Sequence, residues 1–181
     1  VIKKTTTPNV DIITSNLKLT TLESTIQGTS RPFYLLKYAL EKLTKDYDYI
    51  IIDCPPSLGL LNLNGLCAAT SVLVPVQCEY YALEGLSQLL STIRLVQKHL
   101  NKNLMIDGVV LTMLDARTNL GLQVIEEVKK YFQDKVYKTV IPRNVRLSEA
   151  PSHGEPIIIY DSRSRGAEVY LELAREVIKN G

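Results

Sequence analysis

Tyr49-Ile50-Ile51-Ile52-Asp53 is an apolar run with almost no alternation. A strand of that kind has to be covered on both faces, which is the condition of a parallel sheet held between two layers of helices. Ser71 to Val76 repeats the signature, and Ile106 to Thr112 and residues 136 to 141 read as further strands. Longer amphipathic patterns separate them: a helix after 60 (61 to 70), one over 83 to 100 and one over roughly 120 to 132. Upstream, Val10 to Ile13 reads as a short strand. Ser30-Arg31-Pro32 supplies an N-cap and an early proline for a helix carrying Leu35, Leu36, Ala39, Leu40 and Leu43. A Pro- and Ser-containing loop to about 156 and Ile157 to Tyr160 lead to a last helix striped by Ala167, Tyr170, Leu173, Ala174, Val177 and Ile178. This order predicts an α/β fold with a doubly wound, mostly parallel sheet and helices on both faces, where ligands bind beyond the C-terminal ends of the strands. With no linker, internal repeat or low-complexity tract, residues 1 to 181 read as a single domain.

Composition narrows the classes without choosing a function. At 181 residues, 45% hydrophobic and 22% charged, the chain is neither disordered nor collagen-like and can build a core. No stretch approaches the ~18 apolar residues of a membrane span, and the N-terminus shows no basic-then-apolar signal pattern, so a cytoplasmic location without membrane contact is expected. Cys54, Cys67 and Cys78 are odd in number, widely spaced and without a nearby His. That argues against a disulfide framework or a zinc site and for reduced core thiols. A net charge of +2 permits nucleic-acid binding without requiring it.

Asp53 is the first candidate for chemistry. A carboxylate ending an apolar strand and followed by Cys54-Pro55-Pro56-Ser57 stands at the sheet's C-terminal rim. There it can hold Mg²⁺ directly or through water beside nucleotide phosphates, as a Walker B acid does. The same residue can instead cap the turn before Pro55. The paired prolines fix the backbone after Asp53 and suit a rim loop of one geometry. Elsewhere His153 reads as a solvent-facing loop residue and His99 as a cation at a helix C-terminus. Glu79 and Glu84 flank a rim loop after the strand at 71 to 76 that could act as a nucleotide-sensing switch, with Glu84 reading first as a helix N-terminal acid.

Tyr47 to Gly59 (Tyr-Asp-Tyr-Ile-Ile-Ile-Asp-Cys-Pro-Pro-Ser-Leu-Gly) resembles the Walker B region of the ParA/Soj family of chromosome and plasmid partitioning ATPases. Three more blocks follow in family order: Pro75 to Gly85, Leu111 to Thr118 and Ile141 to Ser152. The likeness runs from about residue 9 to the end, includes Ser164-Arg165-Gly166-Ala167, and is strongest to the Soj proteins of chromosomal systems, which links it to sporulation regulation. The resemblance implies a deviant Walker A P-loop NTPase that binds ATP with Mg²⁺ and pairs as a nucleotide-sandwich homodimer. It also implies binding to DNA without sequence preference, residence on the nucleoid and stimulation by a ParB-type partner. Asp53 would then be the catalytic, metal-side Walker B acid, and Met113, Pro142 and Asn144 would lie in segments that approach the adenine. Arg117 and Arg146, in loops, would contact DNA phosphates, with Lys138 and Arg143 able to widen the patch.

The family's Gly-rich loop of Walker A type does not occur in these residues. Lys3-Lys4-Thr5-Thr6-Thr7 imitates its tail, but lacks the glycines, and Pro8 stops a helix. The expectation is an N-terminally truncated chain, inactive alone because the β- and γ-phosphates lose their cradle. Two other functions stay open at this point. One is a nucleotide-independent DNA- or protein-binding module made from the same fold, using the loops at 113 to 119 and 142 to 153. The other is a MinD-like division regulator, which predicts a basic amphipathic C-terminal extension.

Overall fold

The computed structural model describes residues 1–55 and 57–180, without the side chains of Thr20 and Leu22. The chain divides into two units, Val1–Ala68 and Ala69–Gly181. In the first, Lys3–Lys4 (β1) and Asp11–Ile12 (β2) pair antiparallel. The turn between them closes because Thr5 Oγ1 donates to the Val10 carbonyl (2.8 Å) and accepts from the Thr7 N–H (3.1 Å). Asn9 takes φ 62°, the left-handed conformation that Asn tolerates. Lys3 and Lys4 therefore belong to a hairpin. Asp11, its side chain only 6% exposed, gathers Lys45 Nζ (2.7 Å), Lys4 Nζ (3.0 Å) and the Tyr47 hydroxyl (2.8 Å). Lys45 first, then Lys4 and Tyr47, hold its carboxyl well below the usual aspartate range.

Three helices follow in this unit: Lys18–Ile26 (α1), Leu35–Leu40 (α2) and Leu60–Ala68 (α3). The expected helix after Ser30 starts later and stops before Leu43, because Arg31 adopts φ 64° and the Tyr34 N–H closes a turn onto the Arg31 carbonyl. Asn64 ties α2 to α3: its Nδ2 donates to the carbonyls of Pro32 (2.8 Å) and Leu60 (3.0 Å), and its Oδ1 accepts from the Leu36 N–H (3.2 Å).

The expectation for residues 49 to 53 is corrected. They form no strand, and Tyr49, Ile50 and Ile51 are exposed, Ile51 at 91%. A strand is not a local structure, since its N–H and C=O groups need a neighbour to pair with. Among the described residues no strand pairs with this segment.

In the second unit Ser71–Gln77 (β3), Met105–Leu114 (β4) and Val136–Pro142 (β5) form a parallel sheet in the order β3-β4-β5. Parallel neighbours need crossovers. Ala82–His99 (α4) joins β3 to β4, and Asn119–Phe132 (α5) joins β4 to β5. After β5 come Val145–Glu149 (α6), the single turn Ile157–Tyr160 (α7) and Arg165–Asn180 (α8). Ser164 caps α8 by accepting from the Ala167 N–H (3.1 Å).

Register shows that both sheet faces carry helices. Val74 and Val76 stand opposite Val109 and Leu111, and all four are buried. On that side α4 turns in Leu86, Leu90, Ile93 and Val96, each worth about 1.5–3 kcal/mol of burial. Val110 points the other way and packs with Tyr137, Ile141 and Val169 of α8, with Leu173 and Val177 beside them. Gly108 is demanded by this packing, because a Cβ there would stand 2.7 Å from the Lys135 carbonyl oxygen and strike the Tyr137 ring. Tyr137 is pushed up to about 12, first by burial and then by its hydrogen bond to Asp107. Cys67 and Cys78 are buried, whereas Cys54 is exposed, so the core-thiol expectation fails for Cys54. Among the described residues no helix is long and apolar enough to cross a membrane.

Candidate functional site

Asp53 lies in the first unit and the other candidates in the second. The Asp53 carboxylate is exposed and takes no hydrogen bond or ion pair among the described residues. Its loop is anchored to the start of α3. Asn62 Nδ2 donates to the carbonyls of Pro55 (2.9 Å) and Ser57, while its Oδ1 is buried with no partner among the described residues. Glu23 Oε1 accepts from the Leu61 N–H (3.0 Å), a carboxylate placed at a helix N-terminus where the macrodipole favours it. Gly59 leaves room for that contact, since a Cβ there would lie 2.6 Å from Glu23 Oε1. Asn62, Glu23 and Gly59 were not singled out from sequence. The polar Asn62 and Asn64 within the apolar Leu60 to Cys67 helix were the available signal. Pro56, the second of the paired prolines, lies outside the described residues.

A lone carboxylate without competing donors fits a divalent cation held largely by water and phosphate oxygens. Among the described residues no three or more His, Cys, Asp or Glu side chains cluster tightly enough to form an all-protein metal cage.

In the second unit the C-terminal ends of β4 and β5 bring Met113, Pro142 and Asn144 into one rim. Leu114 pairs with Pro142, and the Arg143 N–H donates to the Leu114 carbonyl (2.9 Å). Three residues of β4 after Leu111 answer two of β5 after Val140, and the irregularity puts Met113 at φ 57°. A non-glycine residue held there stores about 1 kcal/mol or more of strain. Asn144 is a helix cap, its Oδ1 accepting from the N–H groups of Arg146 (2.9 Å) and Leu147 (3.4 Å) at the start of α6.

The arginines of this rim are paired. Asp115 receives Nε (2.8 Å), Nη2 (2.6 Å) and the backbone N–H (3.1 Å) of Arg117, which holds its carboxyl well below the usual range. Arg146 lies in the first turn of α6, not in a loop, because Asn144 starts a helix there. It meets Glu149 through Nη1 (3.0 Å) and Asp161 through Nε (3.3 Å). Arg143 Nη2 reaches Glu79 Oε1 at 2.7 Å and ties the loop after β3 to the loop after β5. Lys138 sits within β5, several residues before the strand's C-terminal end, whereas Arg143 directly follows that end. Glu84 is in the first turn of α4 and His99 in its last. His153 is exposed, as expected, and its ring stacks on Tyr160 with ring centres 4.8 Å apart. An open hollow of about 320 Å³ lies at the end of β3, lined by Val76, Gln77, Glu79, Tyr81, Ala82 and Gly85 among others.

Comparison with known proteins shows what the chain is similar to. The AAA domain family (AAA_31) matches residues 1–106. The sporulation initiation inhibitor protein Soj of Bacillus subtilis is 70% identical over 181 residues, all of this chain and 72% of that protein. The chromosome partitioning protein ParA of Myxococcus xanthus is 54% identical over 170 residues, 94% of this chain and 60% of that protein. The chain thus spans between 60% and 72% of the length of these relatives. Among solved structures, cobyrinic acid a,c-diamide synthase from Mycobacterium smegmatis with bound ADP and magnesium superposes with a TM-score of 0.74 at 38% identity, covering 89% of this chain and 58% of that one.

Proposed function

The chain belongs to the Soj/ParA family of chromosome-partitioning ATPases, an α/β P-loop NTPase fold, and on that premise we propose that it is the larger part of an ATP-dependent, DNA-binding partitioning protein. The observation that carries the reading is the rim at the C-terminal ends of the parallel strands β4 and β5. It collects the strained Met113, Pro142 and Asn144 beside the exposed Arg117 and Arg146. Ligands of parallel α/β sheets bind at such ends.

In this reading ATP and Mg²⁺ are the cofactors. Magnesium neutralises charge on the β- and γ-phosphates when bound. Asp53 offers its unengaged carboxylate to the cation or to a water of its shell, and Asn62 holds the loop that carries Asp53. Met113 and Pro142 wall the adenine, and Asn144 fixes the loop beside it through its cap. Residues 1–181 contain no Gly-rich loop with the nested N–H groups and lysine that phosphates need. The reading assigns that loop to the part of the protein outside them, so residues 1–181 alone do not hydrolyse ATP. The nucleotide-bound protein pairs as a homodimer, lies on nucleoid DNA through Arg117 and Arg146, and is stimulated by a ParB-type partner.

Calorimetric titration with Mg²⁺-ATP tests this on residues 1–181 and on the gene's full product side by side. Binding by the full product alone is expected. Equal binding by residues 1–181 would mean that phosphate is held by other groups and would overturn the cofactor assignment.

A further inference from the structure

We propose that Asp115, Glu149 and Asp161 are internal competitors for the DNA phosphates, setting how tightly the rim arginines hold a duplex. This rests on the reading that Arg117 and Arg146 contact DNA, and it concerns the regulation of that same surface.

The geometry is explicit at Arg117. Its Nε and Nη2, the edge of the guanidinium that grips a phosphate with two parallel bonds, are both spent on the two oxygens of Asp115. Asp115 cannot simply swing away, because one of those oxygens also accepts the Arg117 backbone N–H. The Asp115 side chain is 26% exposed and that of Arg117 87%, so the arginine is the mobile partner and the carboxylate the fixed one. Arg146 repeats the arrangement with two acids. Nη1 meets Glu149, itself held by the Tyr160 hydroxyl (3.2 Å), and Nε meets Asp161.

A phosphate that takes either arginine must displace a carboxylate and leave it a few ångströms away with its charge unmatched. Binding therefore loses part of the attraction the arginine supplies. A cation recruited to the abandoned carboxylate cancels part of the counterion release that normally drives protein–DNA association. Two consequences follow for Asp115→Asn. The affinity rises, and its dependence on salt becomes steeper, because a phosphate contact then releases a counterion without a carboxylate recapturing one. The Asn side-chain oxygen still accepts the Arg117 N–H, so the turn that presents Arg117 is kept.

The test uses the gene's full product with Mg²⁺-ATP and a mixed-sequence duplex of about 60 base pairs, with affinity measured at several salt concentrations. The variants are Asp115→Asn, Asp161→Asn, Arg117→Ala and Arg146→Ala. Asp115→Asn and Asp161→Asn are expected to bind about two- to fivefold more tightly at low salt, the range of an exposed ion pair, with steeper salt slopes. Arg117→Ala and Arg146→Ala are expected to bind more weakly. If both arginine variants weaken binding while both Asn variants equal or fall below the parent, the competition proposal is overturned and the acids are positioning residues. If the arginine variants bind as the parent does, the DNA-contact reading itself fails, and the proposal with it.

Discussion

Glu176 of α8 accepts three hydrogen bonds from β5: the N–H of Lys138 (2.7 Å), the N–H of Thr139 (3.0 Å) and the Thr139 hydroxyl (2.8 Å). The strand needs them. Between the pairs Val109–Val136 and Leu111–Val140, β5 carries two residues more than β4, so its ladder is interrupted just where Glu176 arrives. Burial opposes the charge on Glu176, but these donors outweigh it and hold the carboxyl below the usual glutamate range. A hydrogen bond to a charged acceptor contributes about 1.5–3 kcal/mol. The Lys138 N–H is exposed and can turn to water, so Glu176→Ala should cost about 2–3 kcal/mol in all, and Glu176→Gln about 1 kcal/mol. For a chain of this size that is a fall in Tm of about 4–12 °C for the alanine variant. The pH dependence has a definite sign. A lowered folded-state pKa gives stability that is fully present above the unfolded value, ~4.3, and is lost as pH falls through the folded one. Thermal unfolding followed by circular dichroism at pH 7 and at about pH 3 should therefore show a large gap between parent and Glu176→Ala at neutral pH and a smaller one in acid. An alanine variant that melts with the parent at pH 7, or a gap that does not shrink in acid, would refute the argument.

Three further outcomes are expected. Asp11→Asn removes the charge that Lys4 and Lys45 share, so it should lower the melting temperature at neutral pH. The deficit should vanish only in strong acid, because the Asp11 pKa is depressed and its stabilisation is lost as pH falls through that low folded value. Gly108→Ala drives a methyl group onto the Lys135 carbonyl and the Tyr137 ring, and should cost about 1–3 kcal/mol in urea unfolding. Asn62→Ala releases the carbonyls of Pro55 and Ser57, and in the gene's full product it should reduce ATP turnover more than it lowers Tm.

The second unit was legible in the sequence because its elements bury faces whose period is local. Leu86, Leu90, Ile93 and Val96 recur at helical spacing, whereas Ser71 to Val76 is apolar almost throughout and reads as covered on both faces, although only Val74 and Val76 are buried and Leu73 and Pro75 are exposed. Tyr49 to Ile52 misled for a physical reason: apolar content says that a strand could be buried there, while the pairing that makes it a strand depends on residues far away in the chain. Lys18–Ile26 escaped notice because Thr20, Thr21, Ser24 and Thr25 are residues that favour caps and strands over helix interiors. The turn at Val145–Glu149 was hidden between Pro142 and Pro151, although Asn144 was the capping signal. At the rim, the Asp115–Arg117 pair is readable from two positions' separation. Arg143–Glu79 and Arg146–Asp161 join residues 64 and 15 positions apart, and only the fold brings them together.

The most direct test of the account is the steady-state rate of ATP hydrolysis by the gene's full product and its Asp53→Asn variant, each with Mg²⁺, duplex DNA and a ParB-type partner. The parent should turn over ATP, and the variant should still bind nucleotide yet fall at least about 100-fold in turnover, as expected when a metal-positioning carboxylate is lost. Turnover by Asp53→Asn at the parent's rate would contradict the assignment of Asp53 and, with it, the mechanism proposed for this chain.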